Sequence, residues 1–218
     1  MASEMKSIRT KAHIRYKNQA GEIVPGVTTI IGAILAKPQL IIWANRLGLQ
    51  GIDSTKYRDE KGAIGTLAHA MILADLKGEK VDTDEYSKEQ ITQAENSYLK
   101  WLEWQKGKEF KPVCVETPLV SELHQFGGSP DYLGMINGEL ILADYKTGFV
   151  GKEAYIQTCA YRELLIENGY PPASKIIILG IPRTEDEKFQ EIIYTSFDVG
   201  WGYFKSLKAC YDWDKKIK

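Results

Sequence analysis

The chain has 218 residues, of which 44% are hydrophobic, and this is enough for one well-buried domain and short for two. Its net charge is −1, which excludes a global basic field for nucleic acid, so that any such contact depends on a local patch. Three scattered cysteines (Cys114, Cys159 and Cys210) exclude a disulfide framework and a cysteine-rich zinc or iron–sulfur motif.

The N-terminal part, residues 1–59, is expected to form an extension to a single domain that spans residues 1–218. Its start lacks an apolar core, and no run in the chain reaches the ~18 residues of a membrane span. We therefore expect a soluble protein with no membrane partner, in the reducing cytoplasm of a bacterial or phage-infected cell. Residues 12–25 predict a hairpin over Asn18 to Gly21, and residues 28–50 predict two short helices separated near Pro38.

The remaining elements alternate helices with strands. A longer helix ends near Gly78, and further helices are expected at 89–106, 152–168 and 199–213. Strands are expected at 111–119, in a hairpin near 123–146, and at 174–183 and 188–197. The pattern predicts an α/β (α+β) fold, in which a central mixed β-sheet is flanked by helices.

Asn137 and Gly138 separate two apolar runs and predict a type I′ turn, because that turn needs positive φ at both central residues. A two-residue turn fixes the strand register, so that Asp131 faces Asp144. Their Cβ atoms are expected roughly 4.5–5.5 Å apart, where like charges are destabilising unless a cation lies between them. The strand period of two places Lys146 on the same face as Asp144.

Two interpretations of this hairpin are open. In one, both carboxylates lie at a solvated strand end, and Lys146 neutralises one of them. In the other, both faces are covered and the carboxylates hold a metal or a paired cation. The second is favoured because apolar residues occupy both faces: Leu133, Met135, Leu140 and Leu142 on that of the aspartates, and Tyr132, Ile136, Ile141, Ala143 and Tyr145 on the other.

Further candidates for the same site each have a structural alternative. His69 follows Gly65 by four residues on one helical face, and the alternative is a core histidine. Glu116 is expected inside the strand at 111–119, among apolar neighbours. Gln157 and Tyr161 are also four residues apart on a helix, where the alternative is a half-exposed polar face.

In their order along the chain, these elements resemble the PD-(D/E)XK nuclease superfamily, and more narrowly its RecB-type exonuclease branch. The resemblance covers residues 60–165 and includes GTLAH, Glu116, Pro130-Asp131, the DYK at 144–146 and QTCAY at 157–161. Residues 1–59 also resemble the short phage and mitochondrial genome-maintenance exonucleases, in which a VTT segment precedes a helix that carries a tryptophan, as Trp43 does here. A restriction-endonuclease-like core with an N-terminal hairpin and helical extension is implied.

The resemblance implies a centre for Mg²⁺ or Mn²⁺. The implied metal ligands are the side chains of His69, Asp131 and Asp144 and the peptide carbonyl of Tyr145. The implied catalytic residues are Lys146, Glu116, Gln157 and Tyr161. Oxygen ligands suit Mg²⁺, while one imidazole shifts the preference toward Mn²⁺. No iron–sulfur cluster is expected, because the four cysteines that some relatives carry are missing.

The expected function is that of a metal-dependent DNA exonuclease, which hydrolyses phosphodiester bonds from DNA ends in phage-type recombination or DNA repair and maintenance. DNA is the implied substrate, with a recombinase or single-strand-annealing protein as an implied partner. The alternatives are an endonuclease of the same superfamily, a non-catalytic nucleic-acid-binding module that keeps the fold, and a metal-binding structural domain.

The segment before the motif helix supplies candidate contacts to a DNA end. Lys37 and Arg46 are residue types that pair with a terminal phosphate, and Trp43 can stack on a terminal base. The structural alternative is ordinary helical core with two solvated charges, because the neighbouring Ile41, Ile42 and Leu47 would themselves require burial.

Overall fold

The structure is a computed structural model that describes residues 7–8 and 14–217. Its first half contains β1 (Ser7–Ile8), β2 (Tyr16–Lys17), β3 (Ile23–Val24), α1 (Val27–Ile34), α2 (Pro38–Leu49), α3 (Ser54–Lys77), β4 (Lys80–Val81) and α4 (Lys88–Gln105). Its second half contains β5 (Phe110–Val115), β6 (Leu119–Ser121), β7 (Phe126–Gly128), β8 (Tyr132–Ile136), β9 (Glu139–Thr147), α5 (Lys152–Glu167), β10 (Lys175–Ile181), β11 (Gln190–Tyr194) and α6 (Asp198–Asp214).

The central sheet has five strands in the order β11, β10, β9, β8, β5. Strands β9 and β10 are parallel, and the other neighbours are antiparallel. Helix α5 makes the crossover that a parallel pair requires. The predicted mixed sheet flanked by helices is therefore confirmed, and the arrangement is consistent with a restriction-endonuclease-like core.

Helices cover both faces of the sheet. One face packs against α1, α5 and α6 around Leu133, Leu142 and Ile176. The other packs against α3 and α4, where Trp101 lies among the rings of Tyr145 and Phe110. Strands β8 and β9 are thus central strands with two covered faces, as the alternation of their apolar residues predicts.

The ends of α3 show why the chain changes direction where it does. The side chain of Asp53 accepts hydrogen bonds from the backbone N–H groups of Thr55 and Lys56, which caps the first turn. Gly78 ends the helix in the left-handed conformation, with φ of 66°. This confirms the helix end predicted at Gly78.

The N-terminal part contains the predicted hairpin, β2 with β3, although residues 12–13 of that prediction lie outside the described residues. The parallel pairing of β1 with β4 was not predicted, because two-residue strands carry no periodic signal. Helices α1 and α2 meet at a 77° bend next to Pro38. No single helix of the described part of the chain is long and apolar enough to cross a membrane, although this bent pair meets the length and composition requirement together.

The strand predicted at 111–119 is wrong in its second half. Strand β5 ends at Val115, and Glu116 follows with φ of +45°, a conformation that breaks the extended chain. A separate short hairpin, β6 with β7, comes next. Glu116 is therefore a half-buried residue at a strand end, not a strand-interior residue among apolar neighbours.

Candidate active site

The turn at Asn137 and Gly138 has the predicted type I′ character, with φ of 53° and 82°. The register is the one that such a turn imposes, since Tyr132 pairs with Ala143. Asp131 lies one position beyond this pair, and its Oδ2 accepts a hydrogen bond of 2.8 Å from the backbone N–H of Tyr145. The turn thereby brings the Asp131 carboxylate to the end of β9.

Asp144 is fully buried on the α5 side of the sheet. The Nζ atom of Lys146 lies 2.7 Å from its Oδ2, but at an angle that leaves this oxygen without a directed hydrogen bond. Burial raises the pKa of Asp144 to about 6, and the Asp131 charge adds to the rise, while Lys146 opposes it. The interpretation of a solvated strand end is therefore wrong.

Helix α3 supplies the imidazole of His69, whose Nε2 lies 3.0 Å from Oδ2 of Asp131. Burial acts to lower the pKa of His69, but the Asp131 charge outweighs it and the net shift is upward. Burial likewise acts to raise the pKa of Asp131, and His69 and Lys146 reverse that shift. The His69 side chain is 26% exposed and lines the cavity described below, and its role as a metal ligand stays a prediction.

Gly65 lets α3 approach the strand that carries Asp144. A Cβ atom at this position would lie 2.6 Å from Oγ1 of Thr147, closer than any real contact of that kind. The absence of a side chain one turn before His69 therefore allows the imidazole to reach the carboxylates. This gives the GTLAH spacing a steric reason.

Helix α5 covers the carboxylates with two buried polar groups. The amide Nε2 of Gln157 donates to the Tyr161 hydroxyl at 3.0 Å and approaches Oδ1 of Asp144 at 3.4 Å. Burial and the charges of the two aspartates raise the pKa of Tyr161 well above its ordinary value, so the phenol stays protonated. Both side chains are at least nine-tenths buried, and the alternative of a half-exposed polar face is wrong.

Glu116 is held next to this cluster by its backbone. Its N–H donates to the carbonyl oxygens of Pro130 at 2.9 Å and Asp131 at 3.2 Å. A positive φ is uncommon for a residue other than glycine and is stabilised here by these two bonds. The Glu116 charge also raises the pKa of His69, which indicates that the two side chains are close.

A cavity of about 560 Å³ opens beside these residues, between α3 and the ends of β9 and β10. His69, Glu116 and Lys146 line it, together with two cations that sequence reasoning missed, Lys61 and Arg183. Its volume lies in the range of small-ligand sites. Neither missed cation belongs to a motif, and Arg183 follows Lys61 by more than a hundred residues, so no local signal joined them.

The three candidate DNA-end contacts lie in different settings. Lys37 forms an ion pair of 2.8 Å with Glu153 at the start of α5, which ties the N-terminal segment to the site. The Trp43 ring packs edge-on against Tyr57, with ring centres 6.1 Å apart, and Arg46 is exposed. None of the three lines the cavity.

The donor set fits a divalent cation chemically. The donors are an imidazole nitrogen and two facing carboxylates, of which that of Asp144 has a buried Oδ2 without a directed hydrogen bond, and Mg²⁺ or Mn²⁺ accepts such ligands. In the described part of the chain, however, no three His, Cys, Asp or Glu side chains stand in ready metal-binding geometry. His69 contacts Asp131, and Lys146 contacts Asp144.

No family model and no curated protein matches the sequence. Among solved structures, LHK-Exo in complex with dAMP is similar with a TM-score of 0.39 and 10% identity, over 88% of this chain and 87% of that chain. A second structure, the alkaline exonuclease LHK-Exo from Laribacter hongkongensis, is similar with a TM-score of 0.38 and 13% identity, over 68% and 76%. Such distant likeness carries no argument about function, which depends on the site itself.

Proposed function

We propose that the protein is a divalent-metal-dependent DNA exonuclease that hydrolyses phosphodiester bonds from DNA ends. The observation that carries the proposal is the convergence of Asp131, Asp144 and Lys146 beside a cavity of about 560 Å³. A fully buried carboxylate with a raised pKa is costly, and such groups cluster at functional sites.

His69, Asp131 and Asp144 would hold the cation, with the peptide carbonyl of Tyr145 as a further ligand. A bound divalent cation supplies a nucleophile at neutral pH, by lowering the pKa of water, and polarises a phosphoryl oxygen. The Nζ of Lys146 lies 2.7 Å from Oδ2 of Asp144, so its ammonium group would stand beside a cation that Asp144 holds.

The protein side chains have separate roles around the scissile phosphate. Lys146 lines the cavity, where its ammonium group orients water and offsets negative charge that develops on the phosphate. Gln157 and Tyr161 fix one another by a hydrogen bond and hold Asp144 in place from above. Glu116 at the cavity edge supplies a further carboxylate for water or a second cation.

Selection of DNA ends is assigned to the N-terminal segment. Lys37, directly before α2, forms an ion pair with Glu153 at the start of α5, and Arg46 is exposed on α2. Trp43 supplies an aromatic face for a terminal base. A role in phage-type recombination or DNA maintenance, with a recombinase or single-strand-annealing partner, belongs to the same proposal.

The test uses end-labelled linear DNA, single- and double-stranded, with closed circles of the same sequence, in Mg²⁺ or Mn²⁺ and in EDTA. The expected result is progressive loss of label from linear DNA, intact circles and no reaction in EDTA. Asp144→Asn serves as the inactive control against a contaminating nuclease. Rapid nicking of circles would show that the protein is an endonuclease and not an exonuclease. Full activity in EDTA would refute the metal dependence.

A further inference from the structure

Helix α6 buries one face and exposes a second face that is also apolar. Phe204 and Leu207 lie in the core that α6 shares with α1 and α5. A set of exposed residues forms the α6 stripe, which follows the helix into its last turn: Val199, Tyr203, Ser206, Cys210, Trp213 and Ile217. Ile217 continues the stripe because its N–H still donates to the carbonyl oxygen of Trp213, four residues earlier.

The α6 stripe has the spacing and composition of a helix-packing seam. Its residues are separated by alternating steps of four and three, the repeat by which one helix packs along another. None of its members carries a charge, although the same helix has lysines and aspartates at other positions. Val199, Trp213 and Ile217 are 75%, 62% and 77% exposed. Large apolar side chains that are contiguous on a surface mark an interaction site.

Gly202, beside the stripe, gives a second and independent indication. A glycine in the interior of a helix is destabilising relative to alanine. Gly200 has a reason within the fold, because a Cβ atom there would overlap Cys159. A Cβ atom at Gly202, in contrast, would meet no atom of the described residues within 4 Å. What Gly202 provides is room for another backbone to approach α6 closely.

The order of residues in the stripe matches a second α6 that runs in the opposite direction. The steps of four and three read the same from either end, so an antiparallel copy meets the stripe in register. Val199 then faces Ile217 of the other copy, and Tyr203 faces Trp213. The smaller Ser206 and Cys210 face one another near the middle. The Ser206 hydroxyl donates to the carbonyl oxygen of Gly202 within its own helix, so it brings no unpaired donor to the contact.

Charges at the two ends of α6 favour the same direction. Asp198 directly precedes Val199, and Lys216 directly precedes Ile217. An antiparallel pair brings these opposite charges near one another, whereas a parallel pair would bring each charge near its own copy. Exposed ion pairs contribute little affinity, and they act here on the direction of pairing.

We propose that two copies of this chain associate through the α6 stripe, as an antiparallel pair of helices related by a two-fold axis. A helix of 17 residues is about 25 Å long, and one such helix from each chain gives an interface near ~1,200 Å², the low end for stable complexes. A dissociation constant in the micromolar range is therefore expected. The association goes beyond the proposed nuclease and does not depend on it.

The test measures self-association of the full chain by sedimentation velocity at ~1–300 μM, with a reductant that keeps Cys210 a free thiol and without DNA or metal. The wild type is expected to shift from monomer to dimer within this range. Trp213→Ala should weaken association at least ~tenfold, because the large ring is lost from both copies. The matched control Leu123→Glu changes a side chain of the same 77% exposure as Ile217, beside Lys205 on another side of α6, and should match the wild type.

A charge swap tests the direction of pairing. Val199→Glu and Ile217→Lys should each weaken association ~tenfold, because each places a charge against an apolar side chain. Both changes suit the ends of α6 electrostatically, and circular dichroism verifies that the variants are folded. The double variant Val199→Glu/Ile217→Lys brings opposite charges face to face in an antiparallel pair, and it should associate more tightly than either single variant.

Four outcomes would overturn the proposal. One is a chain that stays monomeric over the whole range, and another is a dimer that Trp213→Ala leaves unchanged. A double variant weaker than both single variants would show parallel pairing instead. Binding of the wild type, but not of Trp213→Ala, to vesicles of phosphatidylglycerol and phosphatidylcholine, without self-association, would assign the stripe to a lipid surface. None of these outcomes bears on the proposed nuclease, because every measurement is made without DNA and metal.

Discussion

The strands β8 and β9 and the helix α2 are both rich in apolar residues, yet the structure uses them in opposite ways. Leu133 and Leu142 in the strands are completely buried around the carboxylates. In α2, Ile41 and Ile42 are 73% and 62% exposed, whereas Leu47 is buried. The alternative of ordinary helical core therefore holds for Leu47 and fails for the two isoleucines.

The two regions differ in how far solvent reaches their candidate functional residues. The aspartates lie in low-dielectric surroundings that raise the pKa of Asp144 and strengthen every electrostatic contact there. On α2, by contrast, Ile41 and Ile42 are exposed and Trp43 is half-buried. The proposal therefore places the chemistry on the strands and the contact with a DNA end on the helix.

The largest effect is expected from substitution of the two aspartates at the strands. Asp131→Asn or Asp144→Asn should abolish hydrolysis, because each removes one negative charge from the cation's ligands. The fold should survive. Asp144→Asn relieves a buried carboxylate with a raised pKa and should raise the stability without metal by a fraction of ~1 kcal/mol, whereas Asp131→Asn removes the charge that pairs with His69 and should not raise it. Melting curves and a DNA degradation assay check both points, and an active variant would contradict the metal-ligand assignment.

Lys146→Ala should reduce the turnover rate by ~10²–10³, the usual effect of removing one electrostatic group from the reacting centre. Mn²⁺ affinity should be largely retained, because Lys146 is assigned to the water and the phosphate and not to the cation. Single-turnover rates and calorimetric titration separate these effects. A large loss of Mn²⁺ affinity would place Lys146 in the metal site instead.

The contrast also predicts different costs for stability. Leu133→Ala removes a fully buried side chain and should cost ~2–5 kcal/mol of the free energy of unfolding. Ile42→Ala on the exposed face of α2 should change it by less than ~0.5 kcal/mol. Denaturant titration of both variants measures these free energies of unfolding. A loss of ~2–5 kcal/mol for Ile42→Ala would show that this face of α2 is buried in solution.

A further expected effect, on the use of DNA ends, concerns Trp43, which is half-buried against Tyr57. Trp43→Ala should weaken the use of DNA ends by the ~1–3 kcal/mol of one base stack and leave Mn²⁺ binding unchanged. Tyr57→Ala removes the ring partner and controls for a shifted helix. If only the Tyr57 variant impairs the use of ends, Trp43 has no direct contact with the terminal base.

Much of the candidate site was predictable because its signals are local. The turn at Asn137 and Gly138 sets the strand register through backbone φ angles, so the meeting of Asp131 and Asp144 follows from neighbouring residues. The spacing of Gln157 and Tyr161 likewise places both on one face of α5. Their roles as ligands and catalytic groups stay predictions until hydrolysis is measured.

The tertiary structure decided what depends on distant partners. The strand break at Glu116 is stabilised by hydrogen bonds from its N–H to the carbonyl oxygens of Pro130 and Asp131. The hydroxyl of Tyr16 likewise contacts Oγ of Ser129, more than a hundred residues away in the chain. The exposure of α2 could not be predicted from the sequence either, because a sequence shows which side chains are apolar but not which element covers them. Local backbone geometry was therefore determined by the sequence itself, whereas burial and cavities required the packing of elements far apart in the chain.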